Sequence, residues 1–364
     1  MGHMTLLFSP LRLRDLEIRN RAWMPPMCQY HAFDSDGTPE DWHLVHYGAR
    51  AAGGFGLLIA EATGVVPEGR ISPLCTGLWN DRQEKAWARI VQFVHAQGAK
   101  MGIQLNHAGR KASTTPWRPG LGEGSVPLGH GGWRTVGPSP IAQEGIDEPR
   151  EMSVEEIQAV PGQFAAAAER AVRAGFDTVE IHGAHGYLLH QFLTPLANQR
   201  TDEWGGSFEN RTRLFLAVVR AVREVIPEGM PLLARLSATD WIDGAWDLEQ
   251  SVRLAALLRD AGVDLVDVST GGASMAKIPT GPGFQVPFAE TIRREAGIPT
   301  AAVGMITEPE QAEEILREER ADVILIGRAA LRESGWALRA AHELGLERDE
   351  IPYPGSYWRA TWRR

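Results

Sequence analysis

The residues best suited to chemistry stand in one run, Thr178-Val179-Glu180-Ile181-His182-Gly183-Ala184-His185-Gly186-Tyr187. Its alternating, β-branched opening reads as a buried strand that empties into a turn holding two imidazoles and a phenol among glycines. Bent at Gly183 and Gly186, such a turn lets His182, His185 and Tyr187 face one cavity. Each imidazole can donate a hydrogen bond to an oxygen, and the phenol can give a proton to a neighbouring carbon or oxygen. The competing readings are a satisfied strand-end histidine pair and a metal site, but the sequence offers no third ligand at a useful spacing nearby.

The scaffold that positions this turn must come from 364 residues, enough for two average domains or one large α/β barrel. A hydrophobic content of 43% and ample glycine fit a globular chain with a sizeable core. No apolar run reaches the ~20 residues of a membrane span, and no charged-then-apolar leader opens the chain, so a cytoplasmic protein is expected. Met1-Gly2-His3 reads as an appended leader before a native Met4. A net charge of −9 without a basic block argues against nucleic acid or an anionic membrane as partner. The two cysteines, Cys28 and Cys75, cannot form a disulfide framework or an iron-sulfur cluster alone, and a reducing compartment suits them. No motif supports Cys75, which reads as structural.

Short apolar segments alternate with amphipathic ones about eight times, as in a parallel sheet built from βαβ units. The expected strands span 21–24, 56–61, 100–106, 177–182, 231–237, 265–270, 299–304 and 322–327. The expected helices span 41–52, 82–97, 154–174, 210–226, 248–261, 286–295, 308–319 and 331–343. Ser153 with Glu156, Asp247 with Gln250 and Thr307 with Glu310 have capping-box spacing, and Gly175 and Gly262 stand where helices end. Pro161-Gly162 is expected to break the third helix in two. The fold predicted is a single (β/α)8 TIM barrel over 1–364 with a Gly-, Pro- and Trp-rich insertion, 108–152, after the third strand. Such a connection is either a covering loop or a surface decoration.

In this fold the site forms at the C-terminal ends of the strands. The residues there are Pro25-Pro26-Met27-Cys28-Gln29-Tyr30, Glu61-Ala62-Thr63, Gln104 to Arg110, the turn above, Arg235, Ser269 to Gly272, Gly304 and Gly327-Arg328. Buried Gln104 and Arg235 need partners, and an anionic, hydrogen-bonding ligand along the barrel axis would satisfy both. Glycine turns after strands seven and eight, Gly304 and Gly327-Arg328, form the usual phosphate pocket of a barrel, so the expected ligand carries a phosphate. Neither a Rossmann glycine motif nor a P-loop is present.

These residues, from Phe8 onward, resemble the Old Yellow Enzyme family of flavin reductases, and more closely its bacterial subclass with a cysteine after the first strand. The motifs that carry the resemblance are Pro25 to Tyr30, Gln104-Leu105-Asn106-His107-Ala108-Gly109-Arg110-Lys111, His182 to Leu188, and Arg200-Thr201-Asp202-Glu203-Trp204-Gly205-Gly206-Ser207. The resemblance implies non-covalent FMN, reduced by NADPH or NADH and reoxidised by an activated alkene such as an α,β-unsaturated carbonyl, a nitroalkene or a quinone. It implies that Cys28 tunes the flavin, that Ala62, Gln104 and His182 lie along its ring, and that Arg235 favours its reduced form. Pro25, Pro26, Met27, Gly304, Gly327 and Arg328 would complete the cradle. His182 and His185 would bind the acceptor oxygen, Tyr187 would protonate the α-carbon, and Tyr30 would add a hydrogen bond. Ping-pong kinetics follow from one pocket serving both half-reactions.

The tail, 352–364, is aromatic and cationic, a composition common at interfaces. In the subclass a C-terminal arginine or tryptophan reaches a neighbour's site, and Arg359 or Trp358 matches in position, so a homodimer or homotetramer is expected. Packing on its own barrel is the alternative. Two rival functions remain: a metal-dependent barrel hydrolase with His182 and His185 as ligands, and a non-catalytic flavin-binding protein. The dienoyl-CoA reductase relatives carry a cysteine cluster that this chain lacks.

Overall fold

Alternation along the strands sorts the buried residues into two sets. Ala22, Met24, Leu58, Ala60, Ala234 and Val268 pack outward into a large core shared with the helices. Trp23, Leu57, Ile59, Leu233, Leu265 and Val323 form a separate inner core. A sheet whose two faces are both apolar must be covered on one side and closed upon itself on the other. The structure, a computed structural model describing residues 5–362, is that closed barrel. Residues 1–4, which include the expected leader 1–3, and the tail's last two positions, 363 and 364, lie outside the described residues.

Its strands are β1 (Ala22–Met24), β2 (Leu57–Gly64), β3 (Lys100–Asn106), β4 (Thr178–Gly183), β5 (Leu232–Ser237), β6 (Leu265–Ser269), β7 (Thr300–Ala302) and β8 (Val323–Leu325). Each pairs in parallel with the next, and β8 closes on β1. An antiparallel hairpin, Leu11–Leu13 with Leu16–Ile18, brings Leu13 and Ile18 into the inner core and closes the N-terminal end of the barrel. Toward the C-terminal end the same inward parity turns polar: Gln104, Glu180, Arg235 and Asp267, then His182 and Ser269, all buried. An apolar floor under a polar upper layer makes the rim the place for a ligand.

The helices are α1 (Asp41–Ala52), α2 (Asp81–Ala96), α3 (Val154–Ala174), α4 (Leu188–Leu193), α5 (Phe208–Val225), α6 (Leu248–Asp260), α7 (Val286–Ala296), α8 (Pro309–Arg317), α9 (Arg328–Arg332) and α10 (Trp336–Glu343). Four differ from expectation. Pro161 does not break α3, which runs unbroken from a Ser153–Glu156 capping box to Gly175 in the left-handed region. Ile157, Val160, Phe164 and Ala168 form a continuous buried face on the barrel, and that packing outweighs the ~3 kcal/mol a mid-helix proline costs. The last expected helix is two, because Glu333 is extended and Gly335 caps a new start. Thr307 does not cap α8: Pro309 occupies its first turn behind Glu308, and the Thr307 N–H instead reaches Gln311 Oε1 at 3.2 Å. Helix α4, directly after Tyr187, was not expected. The 108–152 connection contains short 3-10 turns and one short parallel pair, Val136–Gly137 with Arg150–Glu151.

Among the described residues no helix is long and apolar enough to cross a membrane.

Candidate active site at the barrel rim

The turn after β4 is held from several sides. The His182 ring lies 5.2 Å from His185 and 4.9 Å from Tyr187, centroid to centroid. His182 Nδ1 accepts the Ala184 N–H at 3.3 Å, which leaves the proton on Nε2. His185 adopts a left-handed φ of 58°, and its N–H donates to Ser237 Oγ at 2.9 Å. Its Nε2 meets Ser269 Oγ at 2.7 Å, leaving Nδ1 as its other polar atom. Gly186 (φ 73°) has no room for a side chain, since a Cβ there would lie 2.2 Å from the Gly272 carbonyl oxygen. Helix α4 completes the grip: His190 Nδ1 accepts the Gly186 N–H at 2.9 Å, and Gln191 Nε2 donates to Gly186 O at 2.7 Å and Ala108 O at 3.0 Å.

Beneath the turn, the protein itself supplies the partners that sequence reasoning had assigned to a ligand. Gln104 Nε2 donates to Glu180 Oε1 at 2.7 Å, and Arg235 Nε lies 2.9 Å from Asp267 Oδ2. Glu180 and Asp267 sit two residues before His182 and Ser269 on the same inward parity, a signal available in the sequence but not used there. Burial, and then Asp267, push Glu180 up to about 8; burial raises Asp267 to about 6, against the pull of Arg235.

Arg235 and Ser269 also line one wall of a cleft of about 390 Å³. The same cleft is lined by Pro25, Pro26, Met27, Gly304, Gly327, Arg328 and Arg332. It therefore joins the polar layer to the loops after β7 and β8. Cys28, Tyr30 and Tyr187, with Trp133 from the 108–152 connection, pack instead around a second group, Ala62, Ile71, Cys75, Ala108 and Ala112. Ala62 is placed there by a β-bulge between Ala60 and Thr63. The loop bearing Cys28 and Tyr30 is pinned by Glu61, fully buried, whose Oε2 accepts the Gln29 N–H at 2.9 Å. His43 Nε2, 3.3 Å from Glu61 Oε1, and the Tyr47 hydroxyl, which donates to that oxygen at 3.4 Å, hold the carboxylate in turn.

Comparison with known proteins decides which family the chain belongs to. Residues 6–347 match the NADH:flavin oxidoreductase / NADH oxidase family. An NADPH dehydrogenase of Listeria monocytogenes is 47% identical over 99% of this chain and 100% of its own. The chain belongs to that family. Among solved structures, an Old Yellow Enzyme homologue from Zymomonas mobilis is similar at 29% identity and a TM-score of 0.78, over 98% of this chain and 99% of that one. Morphinone reductase is similar at 30% identity and a TM-score of 0.78, over 97% and 94%. The resemblance to the Old Yellow Enzyme family stated from the motifs is thereby established. The protein is an enzyme, a flavin-dependent oxidoreductase with FMN as cofactor and a nicotinamide nucleotide, NADPH or NADH, as donor.

The rim of this family member fits FMN on its own geometry. A cation, Arg235, stands at one part of the cleft and Arg328 with Arg332 at another. Gly327 faces Pro25 and Met27 across it, where a Cβ would point into the cradle, 3.8 Å and 3.9 Å from their atoms. Asn106, buried at the end of β3, has neither its amide nitrogen nor its oxygen hydrogen-bonded by any described residue, and a polar ligand would fit such a pair of atoms. Sequence reasoning quoted Asn106 within a motif but gave it no role.

Burial, reinforced by Arg235 and Lys111, holds His182 and His185 well below the usual imidazole range, so both are neutral donors at pH 7. Burial, then Cys28 and Cys75, raise the Tyr187 phenol well above its usual range and keep its proton in place. Lys111, pushed down to about 8 by burial, donates to His185 O at 2.8 Å and Gly272 O at 3.0 Å, and lies 5.1 Å from the Tyr187 ring centre. Among the described residues, no three His, Cys, Asp or Glu side chains are gathered as metal ligands.

The tail forms a 3-10 helix, Gly355–Ala360, far from these rings in its contacts: Arg348 stacks on Trp358 at 4.0 Å, and Trp362 stacks on His342 at 5.2 Å. Arg359, Trp358 and Tyr357 stay exposed, and none joins the cleft of its own chain.

Proposed function

We propose that this oxidoreductase reduces the C=C bond of activated alkenes: α,β-unsaturated carbonyls, nitroalkenes and quinones. The observation that carries the reading is the convergence of two imidazoles and a phenol, His182, His185 and Tyr187, beside a cleft with arginines along it. Bound FMN supplies hydride carriage from the nicotinamide, proposed as NADPH after the Listeria relative's name, to the alkene β-carbon.

The chain's own residues do the rest. His182, through its Nε2 proton, and His185, through the nitrogen not held by Ser269, grip the acceptor oxygen and draw electron density from the double bond. Tyr187 then delivers its proton to the α-carbon, and Tyr30 adds a hydrogen bond from the pocket wall. Cys28 and Ala62 would help hold the flavin, and Gln104 would offer it a polar contact. Arg235, on the cleft wall, would hold a positive charge toward the cofactor and favour its reduced form, while Gly304, Gly327 and Arg328 would hold its phosphate.

Segment 108–152 covers the acceptor side; the packing of Trp133 among the Tyr187 neighbours and the bonds from Arg110 to Ile141 O and Ala273 O support this role. The exposed Trp358 and Arg359 complete the site of a second copy in a homodimer or homotetramer, in a cytoplasmic setting. Because donor and acceptor share one pocket, initial rates with both substrates varied should give parallel double-reciprocal lines. Intersecting lines would require both to bind together and would contradict the shared pocket.

A further inference from the structure

Lys111 has no part in the chemistry described so far, yet the fold fixes its amine against the phenol of Tyr187. It ends the 3-10 turn Gly109–Lys111 that follows β3. Two neighbours hold that turn: the Arg110 N–H donates to Gln191 Oε1 on α4 at 3.1 Å, and Arg110 Nη2 donates to Ala273 O after β6 at 2.7 Å. From there Lys111 Nζ donates to His185 O at 2.8 Å and to Gly272 O at 3.0 Å, and it stands over the Tyr187 ring, 5.1 Å from its centre. Both bonds go to neutral carbonyl oxygens, so neither cancels the ammonium charge. Arg235, beneath the turn, is by contrast paired with Asp267 Oδ2 at 2.9 Å. A cation over an aromatic face attracts a neutral phenol weakly and a phenolate far more strongly, so it is better matched to Tyr187 after proton loss than before.

We propose that Lys111 is a positioning residue for the proton transfer, its ammonium charge stabilising the phenolate that Tyr187 becomes when it protonates the acceptor. The inference rests on the alkene-reduction reading above. In that step the Tyr187 O–H bond breaks and its proton bonds to the α-carbon through the electron pair of the former double bond. The phenol oxygen then keeps a negative charge until a solvent proton restores it. Burial holds this phenol well above its usual range, so ionising it is costly without help, whereas an opposite charge within ~4–6 Å favours the ionised form by about one to three pKa units. Burial, and then Arg110, push Lys111 down to about 8, so its charge is present below that pH and is lost as pH rises through it. Of the groups facing Lys111, Arg110 stays charged and His182 and His185 stay neutral across that range. His190, on α4, is fixed between the Gly186 N–H and Asp240.

The test is anaerobic stopped-flow kinetics of the holoenzyme across about pH 6 to 10, with flavin reduction by NADPH and reoxidation by cyclohexenone followed separately. Wild-type reoxidation should slow as pH rises through about 8. Lys111→Gln, which keeps a donor but no charge, should reoxidise about 10- to 100-fold more slowly at neutral pH, show no such fall, and be reduced by NADPH at nearly the wild-type rate. Lys111→Arg should restore the rate and carry it well past that pH, since a guanidinium stays charged. In a Tyr187→Phe background Lys111→Gln should add little. Lys111→Gln that keeps the wild-type rate, slows both half-reactions equally, or slows reoxidation just as much in Tyr187→Phe overturns the proposal. Should Lys111→Gln fail to bind FMN, wild type against Lys111→Arg decides, and the same pH profile in both overturns it. Tyr187→Phe that reoxidises at the wild-type rate would remove the proton-donor reading itself, a result distinct from all of these.

Discussion

A phenol that keeps its proton at neutral pH and sits 4.9 Å, ring to ring, from a neutral imidazole can donate only where the acceptor is already polarised. This ties Tyr187 to the second half-reaction and not to the first. Tyr187→Phe is expected to slow alkene reduction by about 10²-fold or more, within the range for loss of a general acid, while anaerobic flavin reduction by NADPH changes little. Stopped-flow measurement of the two half-reactions separates these, and an equal fall in both would remove the proton-donor role. The juxtaposition of His182 and His185 was legible from their spacing, because a strand emptying into a glycine-bent turn brings both rings to one side. Their difference was not: which nitrogen is committed depends on Ala184 N–H for one and on Ser269, far along the chain, for the other.

At the level of elements, the barrel rim works because turns from different strands touch. Gly186 and Gly272 pass so closely that neither tolerates a side chain. Gly186→Ala should cost ~1–3 kcal/mol from the positive φ and the clash together, and should displace Tyr187. Urea unfolding with parallel alkene-reduction assays checks it; full stability and full activity would mean the turn is looser than described. Strand parity also explains what the sequence yielded and what it withheld. All eight strands were readable from apolar alternation with helices, and β3 to its ends. Glu180 and Asp267 were overlooked because a charged residue inside a strand was taken to need a ligand, when a neighbouring strand already held its partner. Helix α4 was overlooked because a short buried helix, uniformly apolar apart from His190 and Gln191, has no amphipathic signal. The continuity of α3 through Pro161 likewise reflects the packed face, which local propensity does not report.

For the whole molecule, the polar layer inside the barrel carries a pH signature. Glu180 has a folded pKa of about 8, above the 4.5 of a free glutamate, so the folded state holds a proton that the unfolded chain releases. The contribution to stability is full below the unfolded value and is lost as pH rises toward the folded one. Glu180→Gln keeps a neutral group opposite Gln104, and the holoenzyme's melting temperature should then fall less between pH 4.5 and 8 than in the wild type. Identical profiles would show that Glu180 is ionised in the fold. The larger claim concerns the rim as one device, in which the cleft with Arg235 and Arg328 and the His182, His185 and Tyr187 cluster serve a single flavin that passes electrons from a nicotinamide to an alkene. It is tested most directly by an anaerobic spectral titration of the purified enzyme. The account predicts a yellow protein that NADPH bleaches and that cyclohexenone recolours with one equivalent of saturated ketone formed. A colourless protein, or one that NADPH bleaches but the enone leaves colourless, would contradict it.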